Sequence, residues 1–181
     1  GSLRIGIIPT ISPYLLPTIT RALRETFPKL TVLWIEDKTE VLVQPLETGG
    51  LGAELLALEA NVGDVEREVI AKDAFFLATA KNDPLGKKRG AVKQAELTDA
   101  NVLLLDDGHC FREQALAVCS RAGAHELEFR ATSLSTLAQM VAGGAGVTLL
   151  PALALNTEAQ RAELEVRPLA APAPFRTIAL V

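Results

Sequence analysis

The sequence predicts an α/β fold arranged as two lobes, and three observations predict it. Strand-like runs alternate with helix-like runs along the chain, the pattern of packed βα units. A polar segment at 81–89 (KNDPLGKKR) separates two blocks in which that alternation repeats. The 181 residues, 49% hydrophobic and 22% charged, suffice to bury a core in each block.

The first block opens with an apolar strand at 3–8. Ser12 is expected to cap a helix that has Pro13 at its first position. Leu16, Ile19, Leu23 and Phe27 form that helix's predicted buried stripe, and Pro28 stops it. A strand follows at 31–36. A second helix, starting at Asp37 or Lys38 and carrying Val41, Leu42 and Leu46, ends at Gly49-Gly50. Further strands are read at 53–58 and 74–79. In the second block, a strand at 101–105 leads through Asp106-Asp107-Gly108 into a helix from about Cys110 to Ala122, closed by Gly123. A strand at 126–130, a helix capped by Ser133 that runs to Gly143-Gly144, and a buried strand at 146–150 come next. The segment 170–174 (AAPAP) reads as a stiff connector and 176–181 as a final strand. Gly1-Ser2 reads as an expression remnant. The predicted lobes are 3–73 completed by 176–181, and 74–175. Their sheets are expected to be mixed and mostly parallel, with crossovers near 73–79 and 174–181.

Composition excludes several classes. A module that docks on phosphate backbones usually carries a basic face; with a net charge of −4 and a pI near 5.3, the chain alone is expected to be a poor nucleic-acid binder. No apolar run approaches the roughly 18–20 residues of a membrane span, and the start lacks a signal-peptide pattern. Two cysteines without export signals point to a reducing, cytoplasmic setting. A disulfide there is transient rather than structural.

The cysteines lie in DDGHCFREQALAVCSRAG, residues 106–123. Phe111, Ala115, Val118, Cys119 and Ala122 make one apolar helical stripe, which places Cys119 on the core face. Cys110, nine residues earlier, is half a turn out of phase at 100° per residue. An intact helix separates the two by about 13 Å, whereas a disulfide needs Cα atoms roughly 4.4–6.8 Å apart. Bonding therefore requires the helix to open. Cys110 stands at a helix N-terminus beside His109 and one turn from Arg112–Gln114, where a thiolate is favoured. On these grounds Cys110 is the oxidant-attacked thiol and Cys119 the resolving one. Spacing alone leaves a plainer alternative open, that both are ordinary buried cysteines. No metal site is expected, because His109, His125 and one Cys-x8-Cys pair lack closely spaced ligand pairs.

Several segments resemble the peroxide-sensing, OxyR-type branch of the LysR-type transcription regulators. They are GHCFREQALAVC, the run 129–155 (FRATSLSTLAQMVAGGAGVTLLPALAL), the start RIGIIPTISPYLLP and the end PFRTIALV. GVTLLP marks LysR-type effector domains generally; GHC…C followed by RATSL is specific to the peroxide sensors. The resemblance implies a two-lobed, type 2 periplasmic-binding-protein-like effector domain with two crossover strands. Within it, 3–73 plus 176–181 form regulatory lobe I, and 74–175 form lobe II with the redox cysteines. A DNA-binding winged helix-turn-helix is implied upstream, outside these residues, and the family's C-terminal part after Val181 is expected to be missing.

By resemblance, Cys110 is peroxidatic and Cys119 resolving. Thr10, Thr39 and His109 line a peroxide pocket, and Arg176 stabilises the thiolate. The implied partners are hydrogen peroxide, a homodimer or homotetramer, DNA, RNA polymerase, and thiol reductants such as glutaredoxin or thioredoxin. No cofactor, membrane association or enzymatic activity is implied. The chain departs from the family's usual forms at Gly52, where many members carry Asp, and at Glu113 and Phe175. Two other readings remain: a LysR-type domain that binds a small organic effector between its lobes, and a thiol-dependent peroxidase.

Overall fold

A computed structural model describes residues 1–181. It divides into two compact units, one of Gly1–Lys72 with Thr177–Val181 and the other of Asp73–Arg176.

In the first unit, β1 (Ser2–Ile7), α1 (Ser12–Thr26), β2 (Thr31–Glu36), α2 (Thr39–Glu47) and β3 (Ala53–Ala57) succeed one another. β1 is flanked in parallel by β2, from Ser2↔Thr31 to Ile7↔Glu36, and by β3, from Ile5↔Ala53 to Ile7↔Leu55. The last strand of the chain, β9 (Phe175–Leu180), runs antiparallel to β3 from Leu55↔Leu180 to Ala57↔Ile178. Ile5, Ile7, Leu55, Leu56 and Ile178 are buried, as β-branched and leucine positions of a covered sheet should be.

The start of α1 differs from expectation. Ile11 is its N-cap, Ser12 is already helical, and no side chain caps the helix. The Ser12 hydroxyl instead donates to the Glu36 carboxylate at the end of β2. Because Ser12 is already helical, its oxygen is not placed to accept from the first-turn amides, and its hydroxyl proton goes to the neighbouring strand instead. The predicted buried stripe is also only half-covered, with Leu16, Ile19 and Leu23 intermediate and Phe27 exposed. A helical period reports which face is apolar, not whether the chain covers it.

The second unit contains the part of β4 (Glu68–Thr79) from Asp73 onward, the helical turn α3 (Pro84–Lys87), a 3₁₀ turn (Gln94–Leu97) and β5 (Asn101–Leu105). Next come α4 (Cys110–Arg121), β6 (His125–Ala131), α5 (Leu134–Ala142), β7 (Thr148–Pro151) and β8 (Glu165–Pro168). Between β7 and β8 a short α6 (Ala152–Ala154) continues into a π-helical turn (Leu155–Ala159). Ser133 caps α5 by accepting from the Thr136 amide at 3.2 Å. β5 and β6 pair in parallel, with an irregularity between Val102 and Leu104. β4 pairs antiparallel with both β7 and β8. β1–β2, β1–β3 and β5–β6 are parallel, whereas β3–β9, β4–β7 and β4–β8 are antiparallel, so the sheets are mixed.

The 81–89 segment, expected as a linker, contains α3, whose Asp83 cap accepts from the Leu85 amide. Its apparent polarity hides a Pro at N1 behind an Asp cap, a local start signal. No helix is long and apolar enough to cross a membrane.

Candidate functional site

Cys110 is the first residue of α4 and Cys119 lies in its last full turn before Arg121, on one continuous helix. Nine residues of helix separate their Cα atoms by about 13 Å. Both are thiols. Their surroundings differ sharply. Cys110 is half-exposed, whereas Cys119 is 4% exposed within the core that includes Phe111, Ala115 and Ala122. Burial, reinforced by the negative charge of Glu126, pushes the Cys119 thiol up to about 12. The helix closes where expected. Ala122 is its C-cap, and Gly123 takes φ +77, a conformation that costs glycine nothing.

The turn before α4 is built by Gly108 at φ +94 and by His109 as N-cap. His109 is buried at 3% exposure, and its Nε2 lies 3.0 Å from Asp106 Oδ1. Its side chain does not cap the helix. Asp106 and His109 belong to one turn, so the buried ring and the carboxylate lie side by side where the chain enters α4.

Arg176 is the largest fully buried side chain of the protein. Its Nε donates to Asp73 Oδ2 at 2.8 Å, and its guanidinium carbon lies 5.5 Å from the centre of the Phe111 ring. Phe75 completes the stack, edge-on to Phe111 at 5.0 Å. Asp73 is itself buried and also accepts from the Leu153 amide at 3.0 Å. The cation thus reaches the residue next to Cys110 through a cation–π contact. Asp73, its counter-ion, was not singled out by sequence; an acidic residue early in an apolar strand was the available signal.

Arg112 was expected only as a positive charge one turn from Cys110. It is instead a buried bolt. Its Nη1 donates to the Leu105 carbonyl at 2.9 Å, its Nη2 to Glu126 at 2.8 Å, and its Nε lies 3.2 Å from Asp107 Oδ1. Asp107 also receives Arg130 at 2.7 Å. Burial opposes the Arg112 charge, but the hydrogen bond and charge of Glu126, with Asp107 and Glu113, outweigh it and hold the guanidinium above its usual range. One side chain therefore fastens the first turn of α4 to β5 and β6. Arg112→Ala should raise amide hydrogen exchange in residues 110–115 by tenfold or more, the effect of about 1.4 kcal/mol. Unchanged protection there would show that packing alone holds the turn.

The two threonines belong to the first unit. Thr10 follows β1 and Thr39 opens α2 just beyond β2, so both stand past the carboxyl ends of adjacent parallel strands. Thr10 is 2% exposed and Thr39 7%. Such ends of parallel strands are where α/β folds place their ligand-binding groups. His109, Cys110, Cys119 and Arg176 belong to the second unit. Gly52 has a local reason: a Cβ there would stand 2.5 Å from Leu3 Cδ1. Glu113 and Phe175 are exposed.

All of residues 1–181 match the family described as the LysR substrate binding domain. The chain is 45% identical over 183 residues to a probable hydrogen peroxide-inducible genes activator of Mycobacterium avium, covering 100% of this chain and 58% of that protein. It thus spans under two thirds of that relative's length. Among solved structures, the reduced form of OxyR superposes with a TM-score of 0.88 at 42% identity, covering 100% of this chain and 85% of that one. The oxidized form of OxyR superposes with a TM-score of 0.86 at 44% identity and the same coverage. A match over every residue, with both redox forms of one regulator among its structural relatives, shows that the chain belongs to the LysR substrate-binding domain family, in its OxyR branch.

Proposed function

We propose that this chain is the peroxide-sensing regulatory domain of a LysR-type transcription factor, and that Cys110 and Cys119 are its redox pair. The observation that carries the reading is the asymmetry of the two thiols on one helix. Cys110 is half-exposed at a helix N-terminus, the position that favours an anionic sulfur. Cys119 is buried with its thiol held protonated. The Cys110 thiolate attacks one peroxide oxygen; the O–O bond breaks, giving a Cys110 sulfenic acid and hydroxide. The first turns of α4 then open, Cys119 leaves the core and loses its proton, and its sulfur attacks the Cys110 sulfur. The S–S bond forms as the S–O bond breaks, and water leaves. The net change is two thiols and one peroxide to one disulfide and two waters.

Thr10, Thr39 and His109 as peroxide-contacting residues, and Arg176 as thiolate-stabilising, carry over from the resemblance. So do lobe I as 3–73 plus 176–181 and lobe II as 74–175. The DNA contact through a winged helix-turn-helix elsewhere in the full protein, homo-oligomer formation, a cytoplasmic setting, and the roles of RNA polymerase and thiol reductants belong to the same reading. The domain acts as a sensor that signals by remodelling α4, not as an enzyme.

Mass spectrometry after stoichiometric peroxide tests it. Wild type should lose two hydrogens as one Cys110–Cys119 disulfide. Cys119→Ser should stop at a sulfenic acid that a dimedone probe captures on Cys110, and Cys110→Ser should form neither product. Oxidation of Cys119 in the Cys110→Ser protein at the wild-type rate would overturn the assignment.

A further inference from the structure

The second unit contains a cavity of about 200 Å³ that the redox reading does not use. Leu97, Val118, Leu169, Pro172 and Pro174 form its apolar walls, and Arg121 and Gln94 bring polar groups to it. An apolar cavity of about 150 Å³ holds benzene, so this one accommodates a singly substituted ring. Three separate elements border this open pocket. The 3₁₀ turn supplies Gln94 and Leu97, α4 supplies Val118 and Arg121, and the AAPAP connector supplies the opposite wall. Gln94 Nε2 donates to the Arg121 carbonyl at 2.8 Å, which fixes the turn to the end of the helix. The Arg121 guanidinium borders the cavity and enters no salt bridge. A cavity with both apolar and polar walls and a cation outside any salt bridge is complementary to a small aromatic carboxylate.

We propose that this cavity binds a small aromatic monocarboxylate, its ring among the apolar walls and its carboxylate on Arg121, and that the bound acid opposes disulfide formation. The second half rests on the redox reading of Cys110 and Cys119. Val118 and Arg121 flank Cys119 on α4, the helix that must open for the disulfide to form. A ligand held by that helix binds the reduced form and is expelled by oxidation. By linkage, a hundredfold excess over its Kd favours the reduced form by about a hundredfold.

Phenylacetate is a suitable probe, with phenylacetamide as its uncharged analogue. Binding is read by isotope-resolved NMR titration of the Cys110→Ser/Cys119→Ser protein, which cannot oxidise, so this arm is independent of the redox chemistry. Saturable shifts at residues around 92–97, 118–121 and 169–174 are expected, with a Kd on the order of 0.1–1 mM. Arg121→Ala, and separately the amide analogue, should weaken binding at least tenfold. No saturable shifts, or shifts unaffected by Arg121→Ala, would overturn the site. In wild type, saturating phenylacetate should lower the disulfide yield at limiting peroxide several-fold and leave Arg121→Ala unaffected. Binding without that effect would overturn the coupling. A wild-type protein that forms no disulfide without ligand would instead refute the redox reading, leaving the binding result to stand by itself.

Discussion

Asp73→Ala is expected to destabilise the domain by roughly 3–5 kcal/mol, the loss typical when one partner of a buried ion pair is removed. The reason lies in what is left behind. Arg176 is 0% exposed and Asp73 is 3% exposed, so no water replaces the missing carboxylate. The guanidinium would lose the carboxylate to which its Nε donates at 2.8 Å, and the Phe111 ring offers a weaker attraction than that charge. The Leu153 amide would lose its acceptor as well. Asp73→Ala combined with Arg176→Met removes both buried charges and refills most of the volume. The double variant should therefore lose clearly less than the two single losses added together, a coupling that a double-mutant cycle reads directly. Urea unfolding midpoints at fixed pH measure it. Additive losses would show that the pair does not interact across its 2.8 Å contact, and a single loss under about 1 kcal/mol would show that Asp73 is dispensable.

This pair marks the boundary of what the sequence discloses. The redox helix was legible because its signals are local: a stripe at helical spacing, a glycine beyond its end and two cysteines half a turn apart. α4 starts at Cys110 as read, and Cys119 is buried as read. Strands at 31–36 and 101–105 match β2 and β5 residue for residue, because runs of β-branched and leucine residues between turn formers leave little choice. The misses share the opposite property. Ser12 was assigned to its own backbone and is claimed by Glu36, 24 residues away. Arg112 reads in the sequence as a charge near Cys110, but its partners sit on β5, β6 and the turn before α4. β8 and the helix at 152–159 were not foreseen. β8 is only four residues long, and its register comes from pairing with β4. Long-range acceptors and short paired segments leave no periodic trace.

Stability should also depend on pH through Glu54, a residue that no local sequence pattern flags. Glu54 is fully buried on β3, and neither carboxyl oxygen has a hydrogen-bond partner. It stands opposite Gly6 on β1, where a Cβ would meet its Cγ at 3.3 Å and the Leu51 and Leu42 methyls at 2.9 and 3.3 Å. Glycine on the neighbouring strand makes room for the side chain, but leucines wall it. Burial raises the carboxyl from 4.5 to about 7. The folded state therefore keeps a proton that the unfolded chain releases near pH 4.5. Glu54's contribution is fully present below that value, falls as pH rises through the window to about 7, and stays lost above it. At one pKa unit per 1.36 kcal/mol, the rise from 4.5 to about 7 corresponds to roughly 3 kcal/mol. Glu54→Leu should remove this component of the pH dependence and be more stable than wild type at pH 8 by about that amount. Glu54→Gln should also remove it while leaving an unpartnered amide in the core, and so gain less. The Cys119 thiol, raised to about 12 from 9, titrates too high to interfere. Urea unfolding of the three proteins between about pH 4.5 and 8 reads the difference. Wild-type and Glu54→Leu stabilities that run parallel across that range would mean that the carboxyl reaches water or a partner when ionised, and that burial does not hold it protonated.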